Sequence, residues 1–218
     1  MRRYHSWYDF LFNSETHEVP CVMSMNWQTP LILASTSPRR RKLLSEAGIS
    51  AIAVSPSIDD SLYSCGTMSP REWVTSLAIL KASSIVASYQ QGRGTVLAAD
   101  TVCVVDGEIF GQPQDAAEAK AMIEAMSHRA HDVYTGWCLK TLSGNRASHG
   151  CETTIVTIPL ISKNELDTYI QSDKWRGKAG GYNLSERLVA GWPLSWKGDP
   201  TSVMGLPMER LIAEFSRK

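Results

Sequence analysis

Three groups of residues in this chain of 218 residues have types and spacing that could do chemistry. The first is Ser35-Thr36-Ser37-Pro38-Arg39-Arg40-Arg41, at the end of an apolar run. Ser37 is a helix N-cap and Pro38 a first-turn residue, so backbone N–H groups and the positive end of a helix dipole converge there. The hydroxyls of Ser35 and Ser37, with the guanidinium of Arg39 or Arg40, would complete a phosphate cradle through charge-assisted hydrogen bonds. The plainer alternative is a cap followed by a solvated arginine face. The second group is Asp100 in Ala98-Ala99-Asp100-Thr101-Val102. A carboxylate inside an apolar strand has to be paired, hydrogen-bonded or metal-bound, because desolvating it alone costs several kcal/mol. At a cleft it could hold Mg²⁺ or take a proton from an attacking water. Otherwise it caps a loop. The third group is a set of scattered cations, Lys81, Lys178 and Arg187. Lys81 stands among Leu77, Ala78, Leu80 and Ala82, so its charged head must leave an apolar neighbourhood, toward solvent or toward a bound phosphate. Gly180 and Gly181 beside Lys178 would let the backbone approach a ligand closely.

Other residues carry less. His128 and His131 have the spacing of a weak ligand pair, but with no Cys or third His beside them they read as ordinary polar residues. Trp175, Trp192 and Trp196 could line a pocket, and partial burial in a core is the simpler reading. Neither Gly-x-x-x-x-Gly-Lys-Ser/Thr nor Gly-x-Gly-x-x-Gly occurs.

The elements that must position these groups alternate short apolar runs with helical patterns, which predicts an α/β protein. A buried strand over 31–34 leads into a helix that stops at Gly48, and a second strand follows over 49–54. Asp59 and Asp60 lie in a polar loop. Ser69, Pro70 and Glu72 form a capping box that opens a long helix to about residue 90. The strongest strand spans 96–105 and turns at Asp106-Gly107 into a short partner. A helix over 116–126, an antiparallel pair over 130–142 and 148–159, and a helix capped by Ser162 and Glu165 follow. The glycine-rich stretch from Gly177 leads into irregular chain up to Gly198, and a last helix starts near Pro207. Residues 1 to 28 carry aromatics without a clean period and read as a poorly ordered extension, with residues 29 to 218 as one domain. The cluster of Trp7, Tyr8, Phe10, Leu11 and Phe12 leaves partner docking as the alternative.

The composition is that of a globular chain, 43% hydrophobic and 20% charged. Twenty-two basic residues balance twenty-two acidic ones, so no net field draws the chain to nucleic acid or to an anionic membrane. No apolar run approaches the ~18 residues that span a bilayer. Five widely spaced cysteines show no metal-ligand spacing, and a reducing cytoplasm is the expected location.

Taken in order, LASTSPRRRKLL (33–44), LAILKA (77–82), LAADTVCVVDGEIFGQP (97–113), VYTGW (133–137), KAGGYNL (178–184) and GDPTSVMGLPM (198–208) resemble the Maf family of nucleotide pyrophosphatases, from about Leu31 to Phe215. Each motif is weak alone, and six in the right order make a specific signal. The resemblance implies a mixed-sheet α/β fold related to inosine triphosphatases, with a deep cleft between two lobes, and a homodimer. It implies hydrolysis of nucleoside triphosphates to the monophosphate and pyrophosphate with Mg²⁺ or Mn²⁺. Ser35 and Arg39 match its phosphate-binding positions, with Arg40 beside them, Lys81 a lysine of the site, Asp100 its proton acceptor, and Thr101 a position linked to the base. Lys178 is expected at the triphosphate, and Asp60 is expected to hold the metal together with Asp100. The chain departs from the family at Gln112, where lysine is usual, at Asp60, where glutamate is common, and at Ser185, where members acting on dTTP and UTP carry glutamine. Ala-Asp-Thr favours that branch, whereas Gly-Asp-Pro-Thr followed by Gly-Leu-Pro favours the branch acting on 7-methyl-GTP, and the choice of base stays open between them. A nucleotide-binding regulator without catalysis and an interaction protein on the same fold are the competing readings.

Overall fold

The structure is a computed structural model that describes residues 26–59, 62–89 and 92–217. Among these residues the chain forms a seven-stranded mixed sheet flanked by helices, the α/β class that the alternating pattern predicts. The sheet order is β2 (Ala51–Val54), β1 (Leu31–Ala34), β3 (Thr95–Val105), β5 (Arg129–Thr141), β6 (Ala147–Ile158), β7 (Ser195–Lys197), and β4 (Glu108–Phe110) pairs with β3 outside that path.

Strand β1 (Leu31–Ala34) is buried along its whole length and runs into helix α1 (Pro38–Glu46), which Ser37 caps. Strand β2 (Ala51–Val54) returns parallel to β1 at the sheet edge, starting two residues later than the sequence pattern indicates. Helix α2 (Pro70–Ser88) opens with both arms of the capping box formed by Ser69 and Glu72. Its buried positions are Val74, Leu77, Ala78, Lys81, Ala82 and Ile85, a stripe at helical spacing with a lysine in its middle.

Strand β3 (Thr95–Val105) is the organising element. One of its edges pairs antiparallel with β5 (Arg129–Thr141) from Thr95 to Val104. The other edge is shared: β1 takes Thr95 to Leu97 in parallel, and β4 (Glu108–Phe110) takes Cys103 to Val105 antiparallel. Between them, Ala98 to Val102 have no strand on that side among the described residues. Asp100 and Thr101 lie in this gap, just past the carboxyl end of β1, where ligand crevices form in sheets of this kind.

Alternation along the strands sorts the core into faces. Leu33, Leu97, Ala99, Trp137 and Leu139 pack with α1 and with the last helix, α7 (Met208–Ser216). Ile32, Ala34, Val96, Ala98 and Cys138 pack with α2 on the opposite face. At the other end of β3, Cys103, Val105 and Phe110 join helix α3 (Ala116–Met126), helix α4 (Lys163–Gln171), and Trp175 and Trp192. The glycine-rich and irregular stretch up to Gly198 contains short elements, a 3₁₀ turn over Ala179–Gly181, α5 (Leu184–Val189) and β7 (Ser195–Lys197), and α6 (Pro200–Val203) follows it. The antiparallel pair is β5 with β6 (Ala147–Ile158), as expected.

Residues 1 to 25 of the expected extension lie outside the described residues. Asn26 to Gln28, read from sequence as its last part, pack on the fold instead. Trp27 is buried, with its indole N–H donating to the Glu214 carbonyl at 2.9 Å and the Arg146 guanidinium 4.1 Å from its ring centroid.

Candidate active site

The gap along β3 opens into a cleft of about 450 Å³. Ser35, Arg39, Arg40, Lys81, Asp100, Thr101 and Lys178, singled out on separate stretches of sequence, all line it. Asp60 lies outside the described residues. Arg187 does not line the cleft: it is buried, with its guanidinium 4.1 Å from the Tyr169 ring centroid and 5.3 Å from that of Trp192. Trp175 and Trp192 are core residues of the same cluster rather than cleft walls.

The first turn of α1 is built as a rigid corner. The Ser37 hydroxyl accepts from the Arg40 amide, and the Ser37 amide donates to the Ser35 hydroxyl at 3.1 Å. Arg40 also donates from its guanidinium to that hydroxyl at 3.3 Å and, through Nε, to the Gly205 carbonyl at 2.9 Å. Gly205 has a φ of +108°, and a Cβ there would come 3.0 Å from Arg40 Nε, so glycine is what lets this loop close on the arginine. Arg39 is pulled the other way, donating to the Gly177 carbonyl. Burial lowers its pKa from the ordinary arginine value, and the Glu186 carboxylate opposes that shift. One helix turn thus ties together two distant loops through consecutive arginines.

Lys81 leaves the buried stripe of α2 at the cleft, where its Nζ donates to Asp100 Oδ1 at 2.6 Å. The two side chains are 10% and 14% exposed, so the pair is largely but not wholly desolvated. This accounts for the lysine that local sequence alone would send to solvent. Thr101, next along β3, has its hydroxyl 2.9 Å from that of Thr135, which in turn donates to the Ser202 carbonyl at 2.8 Å. A hydroxyl has one hydrogen. Thr135 spends its own on Ser202, so Thr101 is the donor of the pair, and only lone pairs of its oxygen are left for the cleft.

Lys178 is buried and donates to the Glu186 carboxylate. Burial pulls its pKa below the usual lysine value, and the nearby Glu186 partly restores it. The glycines after it serve packing rather than ligand approach: at Gly180, φ +62°, a Cβ would lie 2.8 Å from Cys103 Sγ and 3.0 Å from Met126 Cε. Gln112 also lines the cleft, at the position where the resemblance leads one to expect lysine.

Sequence reasoning passed over two cleft residues in this segment, Tyr182 and Asn183. The Tyr182 hydroxyl pairs with His131 Nε2 at 2.8 Å, so the histidine is a core residue holding a cleft wall. Asn183 caps α5, accepting from the Glu186 amide at 3.0 Å. An Asn followed three residues later by Glu was the available signal.

A family model described as Maf-like protein matches residues 30–218. A dTTP/UTP pyrophosphatase of Symbiobacterium thermophilum is 37% identical over 182 residues, covering 84% of this chain and 90% of that protein. Proteins of the same description from Salinibacter ruber and Pyrococcus furiosus are 38% and 34% identical, each over 84% of this chain and 87% and 92% of their own lengths. Among solved structures, a nucleoside-triphosphatase / dITP/XTP pyrophosphatase of Mycobacterium abscessus covers 60% of this chain and 74% of its own, with a TM-score of 0.38 and 18% identity. With the family match spanning nearly all of the described residues and relatives above one third identity along most of their lengths, the chain belongs to the Maf family.

Proposed function

We propose that the chain is a nucleoside triphosphate pyrophosphatase, cleaving the α–β phosphoanhydride to release the monophosphate and pyrophosphate. The observation that carries the reading is the Asp100 carboxylate held at 2.6 Å by Lys81 in the same cleft as the Ser35–Arg40 corner and Lys178. The names of the relatives, dTTP/UTP pyrophosphatases, support the same reaction and make dTTP and UTP the first substrates to try.

Ser35, Arg39, Arg40 and Lys178 grip the triphosphate, placing the α-phosphorus for in-line attack by water. Asp100 takes the proton of that water, and Lys81 fixes the carboxylate's orientation while adding positive charge beside the phosphates. Catalysis of this sort is positioning and charge stabilisation, so no covalent nucleophile is needed. The donor set suits a hard divalent cation. Asp100 lines the cleft, and Mg²⁺ commonly takes one or two carboxylates and completes its shell with waters and phosphate oxygens. Asp60 is the proposed second carboxylate. Mg²⁺ or Mn²⁺ there would neutralise charge on the phosphates and lower the pKa of a bound water. The proposed role extends to clearing non-canonical nucleotides, as a homodimer, in a reducing cytoplasm. The described cysteines are free, and no helix among the described residues is long and apolar enough to cross a membrane.

The test is to assay pyrophosphate and orthophosphate separately from a panel of triphosphates with Mg²⁺ or Mn²⁺, with and without a chelator. Pyrophosphate release that the chelator abolishes is the expected result. Orthophosphate in its place, or tight nucleotide binding with no release, would overturn the reading, and the latter would make the neutral Gln112 the mark of a binding protein.

A further inference from the structure

One polar side chain on the cleft wall has no part in the mechanism above. Asn183 lines the cleft and is 2% exposed. Its Oδ1 accepts two hydrogen bonds, from the Glu186 backbone amide at 3.0 Å and from the Ser185 hydroxyl at 2.7 Å. A backbone amide can only donate, so the side-chain atom facing it must be the oxygen, and the orientation of the Asn183 amide is dictated by its neighbours. Both donor hydrogens therefore sit on Nδ2, and among the described residues that atom has no hydrogen-bond partner. Nor is it one of the unpartnered polar atoms sealed inside the protein, such as Trp137 Nε1 and His131 Nδ1. With Oδ1 engaged, Nδ2 is the polar end of this cleft-lining side chain that is left for a ligand.

Among the lining residues, Arg39, Arg40, Lys81, Arg176 and Lys178 are cationic and suit the triphosphate, whereas Thr101, Tyr182, Asn183, Val203 and Met204 are uncharged and suit a neutral, flat base. We infer that Asn183 is a specificity-determining residue, its Nδ2 donating to a carbonyl oxygen of the nucleobase. Ser185 acts through it as a positioning residue, locking Oδ1 so that the amide cannot turn. The inference rests on the pyrophosphatase reading and names the chemical class of base that site takes. Bases with a keto oxygen at pyrimidine C4 or purine C6, such as uracil, thymine and guanine, satisfy a donor placed there, whereas the C2 carbonyl is common to uracil and cytosine. Cytosine and adenine set an exocyclic N–H₂ against it, leaving donors facing donors. A buried group built to hydrogen-bond rejects an analogue that cannot answer it far more strongly than an apolar wall does. The Thr101 oxygen, with only lone pairs to offer, complements the ring N–H that uracil carries and cytosine lacks.

The experiment compares kcat/KM for pyrophosphate release from UTP and from CTP, which differ at the base in this exchange of keto for amino group. It uses the full chain, Asn183→Asp and Ser185→Ala. Aspartate caps a helix as well as asparagine does and keeps the acceptor that Glu186 and Ser185 need, but replaces the two donors with a second acceptor. Its added charge weakens both triphosphates alike and cancels in the ratio. We expect the parent chain to prefer UTP at least about tenfold, a factor worth about 1.4 kcal/mol. Asn183→Asp should shift the UTP:CTP ratio toward CTP by at least about tenfold, and Ser185→Ala should narrow it by a few-fold. Thermal melts establish that each variant is folded at the assay temperature; should Asn183→Asp not be, Ser185→Ala decides. A parent chain that does not discriminate, or a ratio unmoved in the folded variants, overturns the inference even if both rates fall together. Absence of pyrophosphate from every triphosphate tried would instead sink the enzymatic reading beneath it, a distinct result.

Discussion

The Lys81–Asp100 pair is where the chain commits charge to a largely dry place, and its two members are not equivalent. Asn at position 100 keeps the shape and an oxygen to accept from Lys81, but can neither take a proton nor hold a cation with a full charge. We expect Asp100→Asn to reduce pyrophosphate release by at least about 10²-fold, the usual contribution of a general base. The ion pair with Lys81 becomes a bond to a neutral amide in that variant, and a hydrogen bond to a charged group contributes about 1.5–3 kcal/mol, so the melting temperature should fall by several degrees without loss of the cooperative transition. Wild-type turnover in the folded variant would remove Asp100 from the mechanism. At this scale the sequence is informative about residue types and silent about their partners. Asp100 announces itself because a carboxylate in an apolar strand needs an answer, and Lys81 because it interrupts an apolar stripe; that each answers the other depends on how α2 lies across β3. Asn183 was legible as a helix cap but, like Tyr182, not as a cleft residue, since which of their faces meets the cleft depends on how the Lys178–Gly181 turn packs on Cys103 and Met126.

Between elements, the close contact of α2 with β5 sets where Lys81 arrives. Gly136 stands directly across from Asp100 in the β3–β5 ladder. A Cβ there would sit 2.3 Å from the Val74 carbonyl oxygen and 2.6 Å from the Thr75 nitrogen, which are backbone atoms of α2 and cannot swing aside. Gly136→Ala must lift the helix off the sheet. We expect a loss of roughly 1–3 kcal/mol from overpacking, read as a lower midpoint in urea, together with a fall in kcat because Lys81 is carried away from Asp100. Unchanged stability would mean that the helix and strand do not approach this closely. The long elements were legible because their signals are local: the capping boxes at Ser69 and Ser162, the turn at Asp106-Gly107, and the apolar stripe of α2. The short elements after Gly181 were not. β7 holds three residues against β6, and α5 is fixed by an arginine lying over aromatic rings, so tertiary contacts rather than local periodicity define them.

Over the whole molecule, acid is expected to act first through His131. The imidazole is buried beneath the cleft wall, and desolvation holds its pKa down to about 4 against 6.5 for an exposed histidine. Between those values the unfolded chain takes up a proton that the folded chain refuses. Stability is therefore whole above pH 6.5 and is lost as the pH falls toward 4, by up to about 3 kcal/mol once the difference is fully expressed. Urea midpoints measured from pH 7 to pH 4 should decline, and His131→Gln, which can still meet the Tyr182 hydroxyl, should flatten the decline. Equal slopes in the two proteins would place the acid sensitivity elsewhere.

The contacts made by Trp27 and its neighbours have a consequence of connectivity. Asn26 donates from its backbone to the Phe215 carbonyl at 2.9 Å and from its side chain to the Ser216 carbonyl at 3.0 Å, while Arg146 holds the carbonyls of both Asn26 and Arg217. The two ends of the described fold therefore meet at one spot beside the exposed Ser143-Gly144 turn. A circular permutant that joins Arg217 to Asn26 through a few glycines and opens at Gly144 would keep every strand pairing of the sheet, with new ends far along the chain from every cleft residue. We expect it to fold and to keep the parent's preference among triphosphates, measured by the same pyrophosphate assay, because the order in which the elements are threaded is separable from the cleft they enclose.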